Sequence, residues 1–201
     1  MNSHRVQRAY SAMADAYLDR LATMDVVHPD DRQLILRHLT GLAGPVLDLG
    51  CGPGHLAAFL HAAGCDVTGV DLVPEFVEHA RRTHPQVPFQ QGSLTGLDRA
   101  DASVAGVLAW YSLIHRDPDE LDEALEEIRR LLARGGRFVL GFFEGPVREP
   151  FDHRVTTAHR WPVDELSALL TAHGFTEAER LTRGQDGERR PHGVLAATAT
   201  G

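Results

Sequence analysis

The sequence predicts an α/β fold, a mostly parallel sheet with helices on both faces. Helical and strand patterns alternate along the chain. A glycine run stands between a short apolar strand and a helix. The run Val104–Ala109 is short and continuously apolar, as fits a strand buried on both faces of a parallel sheet. A length of 201 residues sets the expectation of a single domain over 1–201, with N-terminal helices over 1–43 and the α/β core over 45–201.

The elements follow in order. Val6, Tyr10, Met13, Tyr17 and Leu21 are spaced by three or four and predict one amphipathic helix. A second helix follows Pro29-Asp30, with Leu34, Ile35, Leu39 and Leu42 facing inward. Val46–Leu49 is a strand ending in Gly50. Leu56, Phe59, Leu60 and Ala63 make the next helical stripe, stopped by Gly64. Strands are predicted at Asp66–Leu72, Val87–Gln90 and Val104–Ala109, with a helix at Glu75–Arg82. Asp117-Pro118-Asp119-Glu120 opens a helix with proline in the first turn and acids at the positive end of the dipole. Leu121, Leu125, Ile128 and Leu132 form its stripe, and Gly135-Gly136 ends it. Arg137–Phe143 is a strand and Pro162–His173 a helix. Strands near Thr176–Leu181 and Gly193–Ala199 complete a set of seven.

Composition removes several functions. The chain is 43% hydrophobic and 24% charged, which excludes a disordered chain. No apolar run reaches membrane-spanning length, and the N-terminus lacks a secretory pattern, so a cytoplasmic location without a membrane partner is expected. The net charge of −8 disfavours nucleic acid as a partner. All 20 basic residues are arginine, so no lysine can serve as base, nucleophile or Schiff-base partner. Cys51 and Cys65 lack metal-ligand spacing; no metal is expected. Oligomeric state is not legible here.

Ligands of such sheets bind at the carboxyl ends of the strands, where strand order reverses. After the first strand stands Gly50-Cys51-Gly52-Pro53-Gly54. Glycines there let backbone approach a ligand closely. The dinucleotide fingerprint would place its third glycine where His55 stands, and a Walker loop needs lysine, so both are disfavoured. After the second strand comes Asp71, a carboxylate able to accept both ribose hydroxyls. Gly92-Ser93-Leu94 follows the third strand and Ala109–His115 the fourth.

This combination resembles the class I S-adenosylmethionine-dependent methyltransferases. Val46–Gly54 looks like that family's first motif, Gly69-Val70-Asp71-Leu72 like its second, and Leu131–Arg137 like its turn into strand five. The match is specific over about residues 45–145. Ser93 departs from it, since many relatives carry aspartate there. A closer likeness is to a small bacterial subgroup carrying Leu108–His115 and His159-Arg160-Trp161-Pro162. The resemblance implies a Rossmann-like, seven-stranded sheet with the last strand antiparallel, and an N-terminal helical lid. It implies S-adenosylmethionine as cofactor, with S-adenosylhomocysteine as product. Cofactor contacts are expected from Tyr10, Gly50, Cys51, Gly52, Gly54, Asp71, Leu72, Ser93, Leu94 and Ala109.

His115 is the first candidate for chemistry, as a base or as a group that orients the acceptor, with Tyr111 beside it. It also reads as a helix-capping histidine next to Asp117. Tyr10 lies on an apolar stripe and equally reads as packing. Cys51 is expected to act through its backbone N–H rather than its sulfur. His159, Arg160 and Trp161, with Arg189 and Arg190, are expected to reach the cleft mouth and hold a carboxylate- or phosphate-bearing small molecule. The expected activity is O- or N-methylation of such a molecule by in-line transfer. A non-catalytic module binding the same cofactor is the alternative, and a nicotinamide oxidoreductase a more distant one.

Overall fold

Parallel strands β1 (Val46–Leu49), β2 (Val67–Asp71), β3 (Phe89–Gln91), β4 (Val104–Trp110) and β5 (Leu132–Glu144) form the body of one sheet in the computed structural model, which describes residues 2–185 and 190–200. Antiparallel β8 (Phe175–Arg183) and β9 (His192–Ala199) complete the order β3-β2-β1-β4-β5-β9-β8. Strand order reverses at β1, which pairs with β2 on one side and β4 on the other.

Side chains of the central strands alternate between two cores, which is why β1 and β4 read as nearly unbroken apolar runs. Leu47, Leu49, Val107, Ala109, Phe138 and Leu140 pack on α6 (Pro118–Leu131) and α7 (Val163–Ala172). Val46, Leu108 and Val139 pack on α3 (Pro29–Leu39), α4 (His55–Ala62) and α5 (Pro74–Thr83). Helices α3, α5 and α6 each start with proline and carry acids in the first turn. Proline's missing N–H is free of penalty there, and the acids meet the positive dipole end.

Three expectations change. The helix predicted over Val6–Leu21 is two, α1 (Asn2–Ser11) and α2 (Ala14–Leu21). The Met13 N–H donates to the Tyr10 carbonyl at 3.0 Å, a tightened last turn, and Met13 leaves the helical region at φ −119°. The break lets Tyr10 and Tyr17 both pack on Phe76, at 5.9 and 5.0 Å between ring centres. Leu132 belongs to β5, not to the α6 stripe: its backbone is extended, and a register shift against β4 absorbs the glycine turn that follows.

Among the described residues the sheet has nine strands rather than seven. A hairpin of β6 (Glu149–Phe151) and β7 (Ala158–Trp161) adds the other two. β4 ends at Trp110 opposite Gly141, and β7 pairs in parallel with the next part of β5, Phe143 and Glu144. Pro150 sits in β6, the edge strand of this hairpin, where a missing donor is tolerated. No helix among the described residues is long and apolar enough to cross a membrane.

Candidate active site

A cavity of about 670 Å³ opens at the carboxyl ends of β1, β2 and β4. The glycine loop forms its floor. Gly50, Gly52 and Gly54 all have positive φ, at 74°, 52° and 85°. The three serve different needs. A Cβ on Gly50 would stand 2.2 Å from Ser112 Cβ, and one on Gly54 would stand 2.7 Å from the Phe89 ring. A Cβ on Gly52 would meet nothing within 4 Å. Gly50 and Gly54 are thus fixed by packing as well as by backbone angle, while Gly52 borders open space. Gly50 and Gly52 line the cavity; Gly54 lies behind it as the residue capping α4.

Much of the loop's hydrogen bonding is internal. The Gly50 and Cys51 N–H groups both donate to the Val70 carbonyl, at 2.7 and 3.1 Å. The Gly52 N–H donates to Asp71 Oδ2 at 2.7 Å, and the Val73 N–H to Asp71 Oδ1 at 2.8 Å. Asp71, which also takes a backbone contact from Leu72, thereby ties the loop to β2 and keeps acceptor capacity, since a carboxylate has about four lone-pair sites. Burial pushes its carboxyl up to about 6 despite these bonds. Burial also drives the Cys51 thiol well above its ordinary value, so it stays protonated.

Asp48 went unmarked in the sequence. It is 1% exposed, it lines the cavity, and its Oδ2 has no hydrogen-bond partner. Burial, then the nearby Asp71 charge, pushes it up to about 7. A buried carboxyl with an unpaired oxygen beside a cavity lends negative potential to it. The available signal was an acid in the middle of an otherwise apolar strand.

The far side of the cavity is aromatic. Trp110, Tyr111, Phe143, His115 and His153 line it, with the His115 and His153 rings 5.2 Å apart. His115 Nδ1 lies 2.7 Å from the Thr157 carbonyl, so it carries the ring hydrogen. That leaves Nε2 as the acceptor facing the Tyr10 hydroxyl at 2.9 Å. Burial, together with the charges of His159 and Arg5, lowers the His115 pKa and keeps the ring neutral, although the Thr157 carbonyl pulls the other way. Burial holds the Tyr10 phenol well above its ordinary value. Helices α1 and α2 lie over this region, packed on Val73 and Phe76 and tied by Ser11 to Glu75 at 2.8 Å.

The structure brings many of the other named residues together, but not all. Tyr10, Cys51, Leu72, Leu94 and Arg190 line the cavity. Ser93 does not, and its hydroxyl lies 3.2 Å from that of Thr95. Ala109 is fully buried inside β4. His159, Arg160 and Trp161 lie on β7, outside the cavity wall. His159 faces Asp117 at 3.5 Å and Arg160 pairs with Glu149 at 2.9 Å. Trp161 packs in the core beneath α7. Arg190 stacks on Phe151, its guanidinium 4.7 Å from the ring centre. Arg189 lies outside the described residues. His55 occupies the place of a dinucleotide fingerprint's third glycine and lines the cavity, so the loop keeps its shorter spacing. No cluster of three or more metal-binding side chains exists among the described residues.

A glycine cradle at the sheet's switch point, with a carboxylate at the end of β2, defines a nucleoside-binding α/β enzyme. A methyltransferase-domain family model matches residues 46–136. An uncharacterised methyltransferase of Synechocystis is 32% identical over 172 residues, covering 80% of this chain and 81% of its own length. The chain belongs to the class I S-adenosylmethionine-dependent methyltransferases. The malonyl-[acyl-carrier protein] O-methyltransferase of Pectobacterium atrosepticum is 30% identical over 135 residues, 67% of this chain, which spans about half (51%) of that relative. Among solved structures, a Burkholderia thailandensis 1,6-didemethyltoxoflavin-N1-methyltransferase with its namesake ligand and S-adenosylhomocysteine is 28% identical. Its TM-score is 0.78, over 96% of this chain and 85% of that one.

Proposed function

We propose that the chain methylates an oxygen or nitrogen of a small, acid-bearing molecule held in the aromatic half of the cavity. One observation carries the reading. A single cavity joins a cradle suited to S-adenosylmethionine with an aromatic wall rimmed by Arg154 and Arg190. The cradle fits that cofactor. Gly52 borders open space, Asp71 keeps acceptor capacity for ribose hydroxyls, and the buried Asp48 carboxyl beside the cavity favours a cationic ligand. Bound there, the cofactor supplies an electrophilic methyl group on a positively charged sulfur.

The chain's own residues then have a positioning task. Stacking on Tyr111, Phe143 and His153 orients a flat acceptor, and α1 and α2 act as the lid that excludes water. His115, neutral and held between the Thr157 carbonyl and the Tyr10 hydroxyl, gives the acceptor a fixed wall rather than a charge. Arg190, fixed over Phe151, takes the acceptor's acidic group. The Burkholderia neighbour, with a small molecule and S-adenosylhomocysteine bound together, supports an acceptor of this size.

The test is formation of S-adenosylhomocysteine from S-adenosylmethionine over a panel of aromatic acids and their neutral esters. Turnover with the acids is expected, and Arg190→Ala raises KM about tenfold with little change in kcat, the mark of uniform binding lost. Transfer confined to the esters contradicts the acidic acceptor. Binding of S-adenosylhomocysteine without any transfer points to a binding module.

A further inference from the structure

A third side of the cavity carries a buried polar chain that runs from Asp31 to Tyr111. Asp31, in the first turn of α3, is 1% exposed. Its Oδ1 accepts a hydrogen bond from Arg183 on β8, and its Oδ2 lies 3.1 Å from His192 Nε2 on β9. The other ring nitrogen of His192, Nδ1, meets the Tyr111 hydroxyl. The Tyr111 and His192 rings are nearly parallel, 24° apart. Tyr111 stands at φ +55°, a left-handed conformation that bulky residues rarely adopt and that concentrates at functional sites. All four residues line the cavity.

We propose that Tyr111, His192 and Asp31 form a relay that takes the proton from the methyl acceptor. Tyr111 is the catalytic residue that touches the acceptor; His192 and Asp31 are positioning residues behind it. The inference rests on the acceptor site proposed above.

The step balances. The acceptor's O–H or N–H bond breaks, and its electron pair stays on the acceptor atom. That proton passes to the Tyr111 oxygen as the phenol's own proton passes to His192 Nδ1. The imidazolium so formed donates from Nε2 to Asp31 and from Nδ1 to Tyr111. After product leaves, the proton returns to solvent by the reverse route. Tyr111 never becomes a buried phenolate, which matters because burial and then the Asp31 charge hold its pKa well above the ordinary value.

His115 and His192 differ in what stands behind them. His115 backs onto the neutral Thr157 carbonyl, whereas His192 backs onto a buried carboxylate. Only the second arrangement offers a negative charge to a newly formed imidazolium. Burial pushes the Asp31 carboxyl up, but hydrogen bonds from His192 and Arg183 outweigh it, so Asp31 remains ionised. Among the described residues the charged groups facing the relay are Asp31, Arg183 and, 3.9 Å from the Arg183 guanidinium, Asp30.

Arg183 Nη2 lies 2.8 Å from the same His192 Nε2 that faces Asp31. Arginine only donates. If Nε2 carries the hydrogen, it donates to Asp31, and Nδ1 is free to accept from Tyr111. If Nε2 accepts from Arg183, then Nδ1–H donates to Tyr111, and the ring cannot take the phenol's proton. The relay requires the first tautomer, which the facing carboxylate favours.

The experiment is 15N NMR of the histidine rings in the full chain at about pH 7.5, free and saturated with S-adenosylhomocysteine, with His192→Gln to assign the signals. The proposal expects His192 protonated at Nε2 and bare at Nδ1. Tyr111→Phe then moves the Nδ1 signal downfield while changing S-adenosylhomocysteine affinity by less than about threefold. Asp31→Asn shifts the ring toward the Nδ1–H tautomer; should that variant fail to fold, Tyr111→Phe carries the test. A ring protonated at Nδ1, or an Nδ1 signal indifferent to Tyr111→Phe, overturns the relay while the methyl-transfer reading stands. Failure of the unmodified chain to bind S-adenosylhomocysteine overturns that reading, and the relay with it.

Discussion

The Tyr10 hydroxyl lies 2.9 Å from Nε2 of His115, joining two residues 105 positions apart. The bond ties the first helix to the loop after β4 beside the cavity. His115 can accept it because its other nitrogen is committed to the Thr157 carbonyl, which fixes the tautomer. A second polar contact of the same helix runs from Ser11 to Glu75 at 2.8 Å.

Tyr10→Phe is therefore expected to loosen α1 and α2 without unfolding the sheet. Losing one hydrogen bond of this kind is worth about 1 kcal/mol, or about fivefold in the opening equilibrium. Hydrogen exchange over residues 2–21 should quicken by that factor while β1 and β4 stay protected. Equal loosening of the sheet would refute a lid role.

The buried carboxylates set a pH dependence. Burial holds Asp48 at about 7 and Asp71 at about 6. Both exceed the unfolded carboxylate value of about 4, so folding takes up protons across this range. Their cost is absent below about pH 4 and grows as the pH rises toward 7, so stability falls through that window. A cationic ligand beside them reverses the sign. S-adenosylmethionine should bind about tenfold tighter at about pH 8 than at about pH 5.5, releasing protons, and Asp48→Asn should flatten that slope. Calorimetry in buffers of different ionisation enthalpy reads both.

The glycines should separate by mechanism. Gly54→Ala combines φ +85° with a Cβ 2.7 Å from the Phe89 ring, and is expected to destabilise by about 2–4 kcal/mol. Gly52→Ala meets no neighbour, so its strain at φ +52° should cost about 1 kcal/mol. Its larger effect should fall on cofactor affinity. Denaturant melts and S-adenosylhomocysteine titrations of the two variants distinguish these outcomes.

Asp31 contributes with the opposite pH sign to Asp48. Its pKa is lowered, with the bonds from His192 and Arg183 overcoming burial. Its stabilisation is present above about pH 4 and lost as the pH falls through its folded value. Asp31→Asn should destabilise by about 2–4 kcal/mol at neutral pH, the lower end for buried pairs because the Arg183 side chain is 26% exposed. Thermal melts at about pH 7 and about pH 3 should differ far less in the variant than in the parent.

The centre of the sheet was legible because β1 and β4 are buried on both faces and read as short apolar runs. The glycine loop and Asp71 were legible because their positions follow from the strand ends. The β6–β7 hairpin was not, since strands of three and four residues, one containing Pro150, carry no period. Asp31 could have been found: it stands three and four residues before the buried Leu34 and Ile35, on the inward face of α3. His159, Arg160 and Trp161 show the limit. A loop predicted to meet the cleft is instead a strand, and it turns these side chains toward Asp117, Glu149 and the core.

Calorimetric titration of the purified chain with S-adenosylhomocysteine, against NADH as control, tests the central claim most directly. Micromolar binding that Asp71→Ala weakens at least about tenfold, a loss of about 1.4 kcal/mol, is the predicted result. Heat with NADH and none with S-adenosylhomocysteine would contradict it.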